Sequence, residues 1–389
     1  MALTTAGVVD VDLKVLDVSG QVLANGQLLG PSPAGVSRGN VTFKSDGVGT
    51  SIDLGVSSAS TFQLKLYEGS YDVVVDNASD CPAGPLPCGA KKVKSVTLTA
   101  SGVLDVDVAV VKVSGTVSVN GGPMGPAPSS RGTLKLEGPS VVNVPLTASG
   151  DANWAATLHP GTYRVELDNK AHCESGPIPC QKRALETSRT INGPETILWQ
   201  LPVIEVTGAV TLNNQPVTGA STKVRGELLF RDASASTSSA TLGTSGNATY
   251  RAKLYPATYE VLFRNTTDCA ANDAQPLPCQ GEAQVEPSVA LTASGLKDFN
   301  LFAVTLSGLV NVNGAQMPAS AAGSARGVLQ FATSASAPAS RPLSSSGVAS
   351  FQVRLLPGRY DVGIENVSDC GVSSALPCQQ HVLAGCGAP

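Results

Sequence analysis

The sequence predicts an all-β protein made of four tandem, seven-stranded β-sandwich domains, and three observations lead to this prediction. The 389 residues include 40 glycines, 26 prolines and only 14% charged residues, a composition typical of turn-rich β proteins. Apolar and polar residues alternate in short runs, which is the period of a half-buried strand. Three sequence markers also recur four times in the same order, at intervals of roughly 95 residues, the size of a β-sandwich domain.

The first marker is a glycine in a V-S-G-type strand, the second an Arg-Gly pair, and the third a tyrosine that opens a strand. They occur at Gly20, Gly115, Gly208 and Gly308, at Arg38-Gly39, Arg131-Gly132, Arg225-Gly226 and Arg326-Gly327, and at Tyr71, Tyr163, Tyr259 and Tyr360. Their spacing predicts domains over residues 1–110, 111–203, 204–303 and 304–389, which we call repeats 1 to 4. We expect each arginine to form an ion pair or an aromatic stack within its domain, and each tyrosine to be a core residue with a hydrogen-bonded hydroxyl.

A β-hairpin precedes each cysteine pair. In repeat 1, Phe62, Leu64 and Leu66 alternate with polar residues, and the same alternation resumes after a short turn from Tyr71. The four turns read YEGS, HPGT, YPAT and LPGR. Two of them place proline and glycine at the central positions, as a type II turn requires.

The pattern S-G-x-V-x-x-N-G, followed by F-x-x-x-L-x-P-G-x-Y-x-V, resembles bacterial carboxypeptidase-regulatory-like, or transthyretin-like, β-sandwich domains. The resemblance covers essentially the whole chain. It implies transthyretin/Ig-like sandwiches arranged in tandem in a secreted or surface protein, and it carries over no functional residue. The paired-cysteine loop is not part of the usual family pattern.

Eight of the nine cysteines form close pairs that differ in loop length but keep a Leu-Pro or Ile-Pro step before the second cysteine. The pairs are Cys81/Cys88, Cys173/Cys180, Cys269/Cys279 and Cys370/Cys378. A zinc site would favour shorter spacing and histidines nearby, so we predict four local disulfides and an oxidising compartment. The asparagine before each pair predicts an Asx turn, with a calcium site as the alternative. Cys386 is left over, as an unpaired or an intermolecular cysteine.

One further segment recurs: TTAGVVDVDLKV at the N-terminus matches LTASGVLDVDVAV from residue 98 and LTASGLKDFNLFAV from residue 291, and TINGPETILWQL from residue 190 is a looser copy. We call these segments DVDL strands. In one interpretation each folds with the segment that follows it, and the domains are self-contained; we favour this one because many tandem arrays begin in this way. In the other, each completes the preceding sandwich. Residues 4–15, with Val9, Val11, Leu13 and Val15 on one face, would then be a donor strand for the last domain of a neighbouring chain.

The remaining observations bear on function. A net charge of −4 argues against nucleic-acid binding, there is no apolar run long enough for a transmembrane segment, and no export signal is visible. No catalytic residue, metal site or cofactor is predicted, since the recurring residues are of turn, core and cysteine types.

We therefore expect a non-enzymatic, secreted or cell-surface bacterial protein that acts as a stalk, an adhesin segment or a head-to-tail filament subunit. The alternative is a module that binds a carbohydrate or a surface protein through its cysteine-closed loops. A third candidate is an accessory region of a larger enzyme.

Overall fold

The computed structural model describes residues 12–57, 60–171, 175–221, 223–266, 277–320, 323–333, 336–368, 370, 374 and 376–386. All regular secondary structure within these residues is β-strand, which confirms the predicted fold class. The alternation of apolar and polar residues explains it, because it places one face of each strand in a core and the other in solvent.

The strands of repeat 1 are β1 (Val15–Ala24), β2 (Gln27–Leu28), β3 (Asn40–Ser45), β4 (Val48–Asp53), β5 (Thr61–Tyr67), β6 (Gly69–Asn77), β7 (Gly89–Leu98), β8 (Gly102–Val103) and β9 (Val106–Val108). Those of repeat 2 are β10 (Val111–Val119), β11 (Gly122–Pro123), β12 (Thr133–Glu137), β13 (Val141–Pro145), β14 (Asn153–Leu158), β15 (Gly161–Asp168), β16 (Lys182–Ile191) and β17 (Glu195–Leu201).

The strands of repeat 3 are β18 (Ile204–Leu212), β19 (Gln215–Pro216), β20 (Glu227–Asp232), β21 (Thr237–Thr241), β22 (Thr249–Leu254), β23 (Ala257–Asn265), β24 (Gln280–Leu291), β25 (Gly295–Leu296) and β26 (Phe299–Leu301). Those of repeat 4 are β27 (Val304–Leu309), β28 (Asn311–Val312), β29 (Ala315–Gln316), β30 (Val328–Thr333), β31 (Ser336–Pro342), β32 (Ser350–Leu355), β33 (Tyr360–Glu365) and β34 (Gln380–Cys386).

Each repeat contains an antiparallel four-stranded sheet of the same topology: β4-β3-β6-β7, β13-β12-β15-β16, β21-β20-β23-β24 and β31-β30-β33-β34. The second sheet of repeats 1 to 3 is built on the V-S-G-type strand, and in repeat 1 this is β1, flanked by β5 on one side and by β8 and β9 on the other. The chain divides into two compact units, residues 1–171 with 182–201, and residues 172–181 with 202–389. The four predicted domain boundaries remain predictions.

The DVDL strands complete the preceding sandwich. Val106–Val108 pair in parallel with Val22–Ala24 of β1, Glu195–Leu201 pair in parallel with β10, and Phe299–Leu301 pair in parallel with β18. The favoured interpretation of self-contained domains, in which each strand folds with the segment after it, is therefore wrong. The buried residues change from even positions, Val106, Val108 and Val110, to odd positions, Val111 and Val113. This change marks the place where the chain leaves one sandwich and enters the next.

A buried arginine joins two loops in every repeat. Arg38, Arg131, Arg225 and Arg326 are at most 1% exposed. The guanidinium of Arg131 donates hydrogen bonds to the carbonyls of Met124, Gly125 and Gly150. Arg326 likewise binds carbonyls on both sides, those of Met317 and Ser344. The predicted ion pair or aromatic stack is wrong for these two arginines, whose hydrogen bonds among the described residues go to carbonyl and hydroxyl oxygens.

Tyr71, Tyr163 and Tyr259 are buried core residues, as predicted, and Tyr360 is half-buried against the core of repeat 4. Each hydroxyl donates to the backbone carbonyl four residues upstream, for example Tyr71 to Tyr67 at 2.8 Å and Tyr360 to Leu356 at 2.6 Å.

The predicted Asx turn forms at Asn169, which accepts from the amide of Ala171 two residues on at 3.3 Å. Asn77 makes a related local contact: it is fully buried, accepts from the amide of Asp80 three residues on and donates to the carbonyl of Leu86. These bonds hold the end of the β6 hairpin against the cysteine-closed loop.

Candidate functional site

The candidate site is the edge of the V-S-G-type strand, where a DVDL strand is added. In repeat 1 the added segment runs along β1 from Val18 to Ala24. The amide of Leu104 donates to the carbonyl of Ser19 at 2.8 Å, and the amide of Asn25 donates to the carbonyl of Val108 at 3.1 Å. Repeat 3 repeats this geometry, with Lys297 donating to Thr207 at 2.8 Å. The addition is therefore made by main-chain hydrogen bonds, which any sequence of suitable length can form.

Side chains make the addition specific. Asp105 and Asp107 accept the amides of Gln21 and Gly26 at 3.1 and 2.8 Å. Asn25 then holds the end of the added strand with two hydrogen bonds, accepting from the amide of Val110 at 2.9 Å and donating to its carbonyl at 2.7 Å.

Repeat 3 has the same set of side-chain contacts. Asp298 accepts the amide of Ala209 at 2.7 Å. Asn213 holds Ala303 through two bonds of 2.9 and 3.0 Å.

The marker glycine allows the added strand to approach. A Cβ on Gly20, Gly115 or Gly208 would collide with the backbone carbonyl of Leu104, Ile197 or Lys297 respectively. A side chain at this position would push the added strand away, so the V-S-G motif is a docking feature as well as a strand motif.

Two apolar side chains of each added strand fill the core below it. The first is Val106, Trp199 or Phe299, between 0 and 7% exposed. Trp199 stacks on Trp154 with ring centroids 4.9 Å apart, and Phe299 contacts Phe230 and Tyr250. The second is Val108, Leu201 or Leu301, at most 2% exposed. In repeats 1, 2 and 3 the sandwich is thus closed by a DVDL strand at its C-terminal end.

Repeat 4 differs at this edge. Its V-S-G-type strand, β27, pairs with β32, and no described residue pairs with its other edge. Val304 and Leu306 are 53 and 43% exposed, whereas the residues at these positions in β1, β10 and β18 are between 1 and 6% exposed. Gly308 is retained, although among the described residues only the ring of Phe351 lies close to its missing Cβ.

An apolar cleft lies beside this edge. It has a volume of about 320 Å³ and is lined by Val310, Asn311, Ile364, Asn366, Leu376, Pro377 and Gln379. Ile364 and Leu376 are half-buried, while the residues at their positions in the other repeats are at most 3% exposed. Val106, Val108, Val75 and Leu86 share one core cluster in repeat 1, so the cleft corresponds to the place where a DVDL strand inserts.

The N-terminal segment carries the sequence of a DVDL strand. Aligning GVVDVDLKV with GVLDVDVAV places Val11 at the position of Val106, Leu13 at that of Val108 and Val15 at that of Val110. Of the four predicted donor residues, Val9 and Val11 lie outside the described residues. Leu13 and Val15 are 59 and 48% exposed. Both edges of β1 are already occupied within repeat 1, by β5 and by β8 with β9.

Two of the predicted disulfides, Cys81–Cys88 and Cys370–Cys378, are present. Cys180 and Cys279 are also disulfide-bonded, and their predicted partners, Cys173 and Cys269, lie outside the described residues. Cys386 ends β34, in register with Tyr360, and its predicted free or intermolecular state remains a prediction.

Within the described ranges no group of three His, Cys, Asp or Glu side chains is placed to hold a metal ion. No helix of the described residues is long and apolar enough to cross a membrane.

The clamping asparagine is a functional residue that sequence reasoning missed. Asn25, Asn120, Asn213 and Asn313 recur in VLANG, VSVNG, VTLNN and VNVNG, and each has a positive φ of 51 or 52°. A hairpin turn explains that pattern completely, so only the structure shows that Asn25 and Asn213 also bind the added strand.

No protein-family model and no curated protein matches the chain. Among solved structures it is similar to the Bacillus anthracis TIE protein, with 12% identity, a TM-score of 0.21 and coverage of 74% of this chain and 50% of that one. It is also similar to a streptococcal ancillary pilin (11% identity, TM-score 0.22, coverage 74% and 99%) and to a DUF3823 family protein from Parabacteroides merdae (14%, 0.20, 42% and 90%). The chain thus spans about half of the Bacillus anthracis protein. At these scores the similarities carry no functional information about this chain.

Proposed function

We propose that this protein is a non-enzymatic structural subunit, secreted or on the bacterial cell surface, that assembles head to tail by strand donation. Residues 4–15 of one chain add to the open edge of β27 in the next. The observation that carries the proposal is the parallel pairing of a DVDL strand with the V-S-G-type strand in repeats 1, 2 and 3, together with an equivalent edge in repeat 4 with which none of the described residues pairs. The disulfides support an oxidising location.

The contacts of the junction follow from the internal copies. By the registers of β8 and β9 on β1, Gly7 would lie opposite Leu306, Val11 opposite Val310 and Leu13 opposite Val312. Asp10 would accept the amide of Leu309 and Asp12 that of Gly314, because Asp105 and Asp107 make these bonds in repeat 1.

Two more features complete the proposed junction. Asn313 would clamp Val15 as Asn25 clamps Val110. One contact is not conserved: Ala6 replaces Ser101, whose hydroxyl accepts the amide of Asp17.

Such a contact joins two different surfaces, so it generates an open chain of subunits rather than a closed dimer. Electron microscopy and sedimentation of the purified chain test it. We expect filaments from the intact chain and single particles from a variant that lacks residues 1–14. Monodisperse monomers of the intact chain at high concentration would contradict the proposal.

A mixing experiment makes the test sharper. The variant lacking residues 1–14 keeps the acceptor edge and has no donor. A second variant carries a copy of residues 5–15 after Pro389. Cys386 takes the position of Val96, so five residues separate Cys386 from the added Gly7, as five separate Val96 from Gly102. This variant covers its own acceptor edge and keeps its N-terminal donor strand. Each should be monomeric alone, and the mixture should form 1:1 dimers and nothing longer. Higher oligomers in the mixture, or no dimer, would count against strand donation.

The binding-module alternative gains no support from the loop that is fully described. The carbonyls of Pro82 and Gly84, in the loop closed by Cys81–Cys88, accept the amide and hydroxyl of Thr157 at 3.1 and 2.7 Å. This loop packs against the following repeat within the same unit, so these atoms are not available to a glycan.

A further inference from the structure

A second surface takes part in the packing of successive repeats within each unit. It lies at the positions of Tyr67, the last residue of β5, and of Val15, its cross-strand partner in β1. In repeat 2 these positions hold His159, which directly follows β14, and Val110, which directly precedes β10, and they are 3 and 9% exposed. His159 Nδ1 lies 3.3 Å from the carbonyl of Ala109, where the chain crosses from repeat 1 to repeat 2.

The same position is buried in repeats 3 and 4. Tyr255 is 1% exposed, and Leu356 is 5% exposed and packs within the core cluster of repeat 3. In unit 2 the ammonium of Lys253, two residues before Tyr255, donates to the carbonyl of Gly176. The end of this strand is therefore a contact surface toward the cysteine-closed loop that precedes it in the chain.

In repeat 1 the corresponding surface is uncovered. Tyr67 is 56% exposed, and its cross-strand partner Val15 is 48% exposed. Leu13, close by in sequence, is 59% exposed. Lys65 takes the position of Lys253 and is also exposed, paired with Asp17 at 2.7 Å.

We propose that Tyr67 and Val15 form a docking surface for the end of repeat 4 of a second copy of this chain. The inference rests on the proposed strand donation, which brings that end of repeat 4 to the start of β1. The internal contacts indicate which surface covers Tyr67. Repeats 2 and 4 each follow another repeat of the same unit, and in both the residue at the position of Tyr67 is buried against that preceding repeat. Tyr67 therefore packs on the end of repeat 4 of the neighbouring subunit.

The two variants described above test this surface. We call the variant with the strand added after Pro389 donor-only, and the variant that lacks residues 1–14 acceptor-only. Tyr67→Ser in the donor-only variant should weaken the dimer about tenfold or more, because truncated aromatic anchors are commonly the costly residues of an interface. Tyr67→Leu should retain binding within about threefold, since leucine occupies this position in repeat 4. Val48→Ala, at a residue 78% exposed on the other sheet of repeat 1, is the matched control and should have no effect.

The outcomes separate the two proposals. If the parent pair forms no dimer, strand donation itself is wrong. If the dimer forms and is weakened by Leu13→Ala but not by Tyr67→Ser, donation stands and the docking surface is overturned. Equal losses for Tyr67→Ser and Val48→Ala would also overturn it. Circular dichroism of each variant alone checks that the change acts on the junction, because Tyr67 is exposed in the free chain.

Discussion

Leu13→Ala tests the proposed junction most directly, because the free chain exposes this side chain and the junction would bury it. Leu13 is 59% exposed, whereas Val108 and Leu301, at the same position of internal strands, are 1 and 2% exposed. Truncating a buried leucine to alanine costs about 2–5 kcal/mol. We take about 2–3 kcal/mol for an interface that can partly collapse, which corresponds to a roughly 30- to 150-fold weaker junction.

The assay is the dissociation constant of the dimer formed by the donor-only and acceptor-only variants, measured by sedimentation or calorimetry. Val8→Ala is the control. Val8 takes the position of Val103 and Leu296, which are 79 and 78% exposed although they lie in paired strands, so its truncation should change the constant less than threefold.

Two results would contradict strand donation through an inward-facing Leu13. One is an unchanged dissociation constant for Leu13→Ala. The other is an equal loss for Val8→Ala, which would show that the segment binds without the inward and outward faces of a paired strand. The unfolding midpoint of the free Leu13→Ala chain should match that of the parent, since the residue adds little to its core.

Three further predictions concern other residues. Gly115→Ala should destabilise the sandwich in denaturant unfolding, since its Cβ would strike the carbonyl of Ile197. Gly308→Ala should destabilise repeat 4 less, because among the described residues its Cβ would meet only the half-buried ring of Phe351, and it should block filament formation in electron microscopy. Arg131→Met should lower the free energy of unfolding by roughly 2–5 kcal/mol, because several buried carbonyls lose their donor; an unchanged midpoint would contradict the role of the arginine. His159, whose pKa burial and Lys91 lower to about 4, binds its proton more weakly when folded than when unfolded. Neutral His159 therefore contributes roughly 2–3 kcal/mol to the free energy of unfolding above about pH 6.5, and this contribution is lost as the pH falls toward 4. His159→Leu should remove that decrease between pH 6.5 and 4 from the measured dependence of unfolding free energy on pH.

Much of the fold could be predicted from local patterns. The alternation from Phe62 to Leu66 predicts a strand with one buried face, and Phe62, Leu64 and Leu66 are at most 8% exposed. The cysteine spacing predicts local pairs, and Cys81–Cys88 and Cys370–Cys378 are bonded. These inferences succeed because strand period, turn chemistry and short loop closure depend on residues close together in the chain.

The partners of the buried arginines could not be predicted in the same way. A carboxylate partner can be sought in a sequence because only aspartate and glutamate side chains carry one. Arg131 instead binds the backbone carbonyls of Met124, Gly125 and Gly150, and every residue has a backbone carbonyl. Only the folded loops show that these carbonyls converge on one guanidinium.

The strands, the fourfold repeat and the two faces of each DVDL strand could be predicted from local patterns of residues. Those patterns left open which sandwich each DVDL strand joins, because Val106 and Val108 present the same apolar face to either neighbour. The folded chain answers that question through residues about 84 positions apart, with Val22 beside Val106 and Asn25 bound to Val110. Parallel pairing depends on where the chain returns in space, and this long-range property is not encoded in any local pattern. That answer is what turned the edge of β27 and the segment at residues 4–15 into the two halves of a proposed junction.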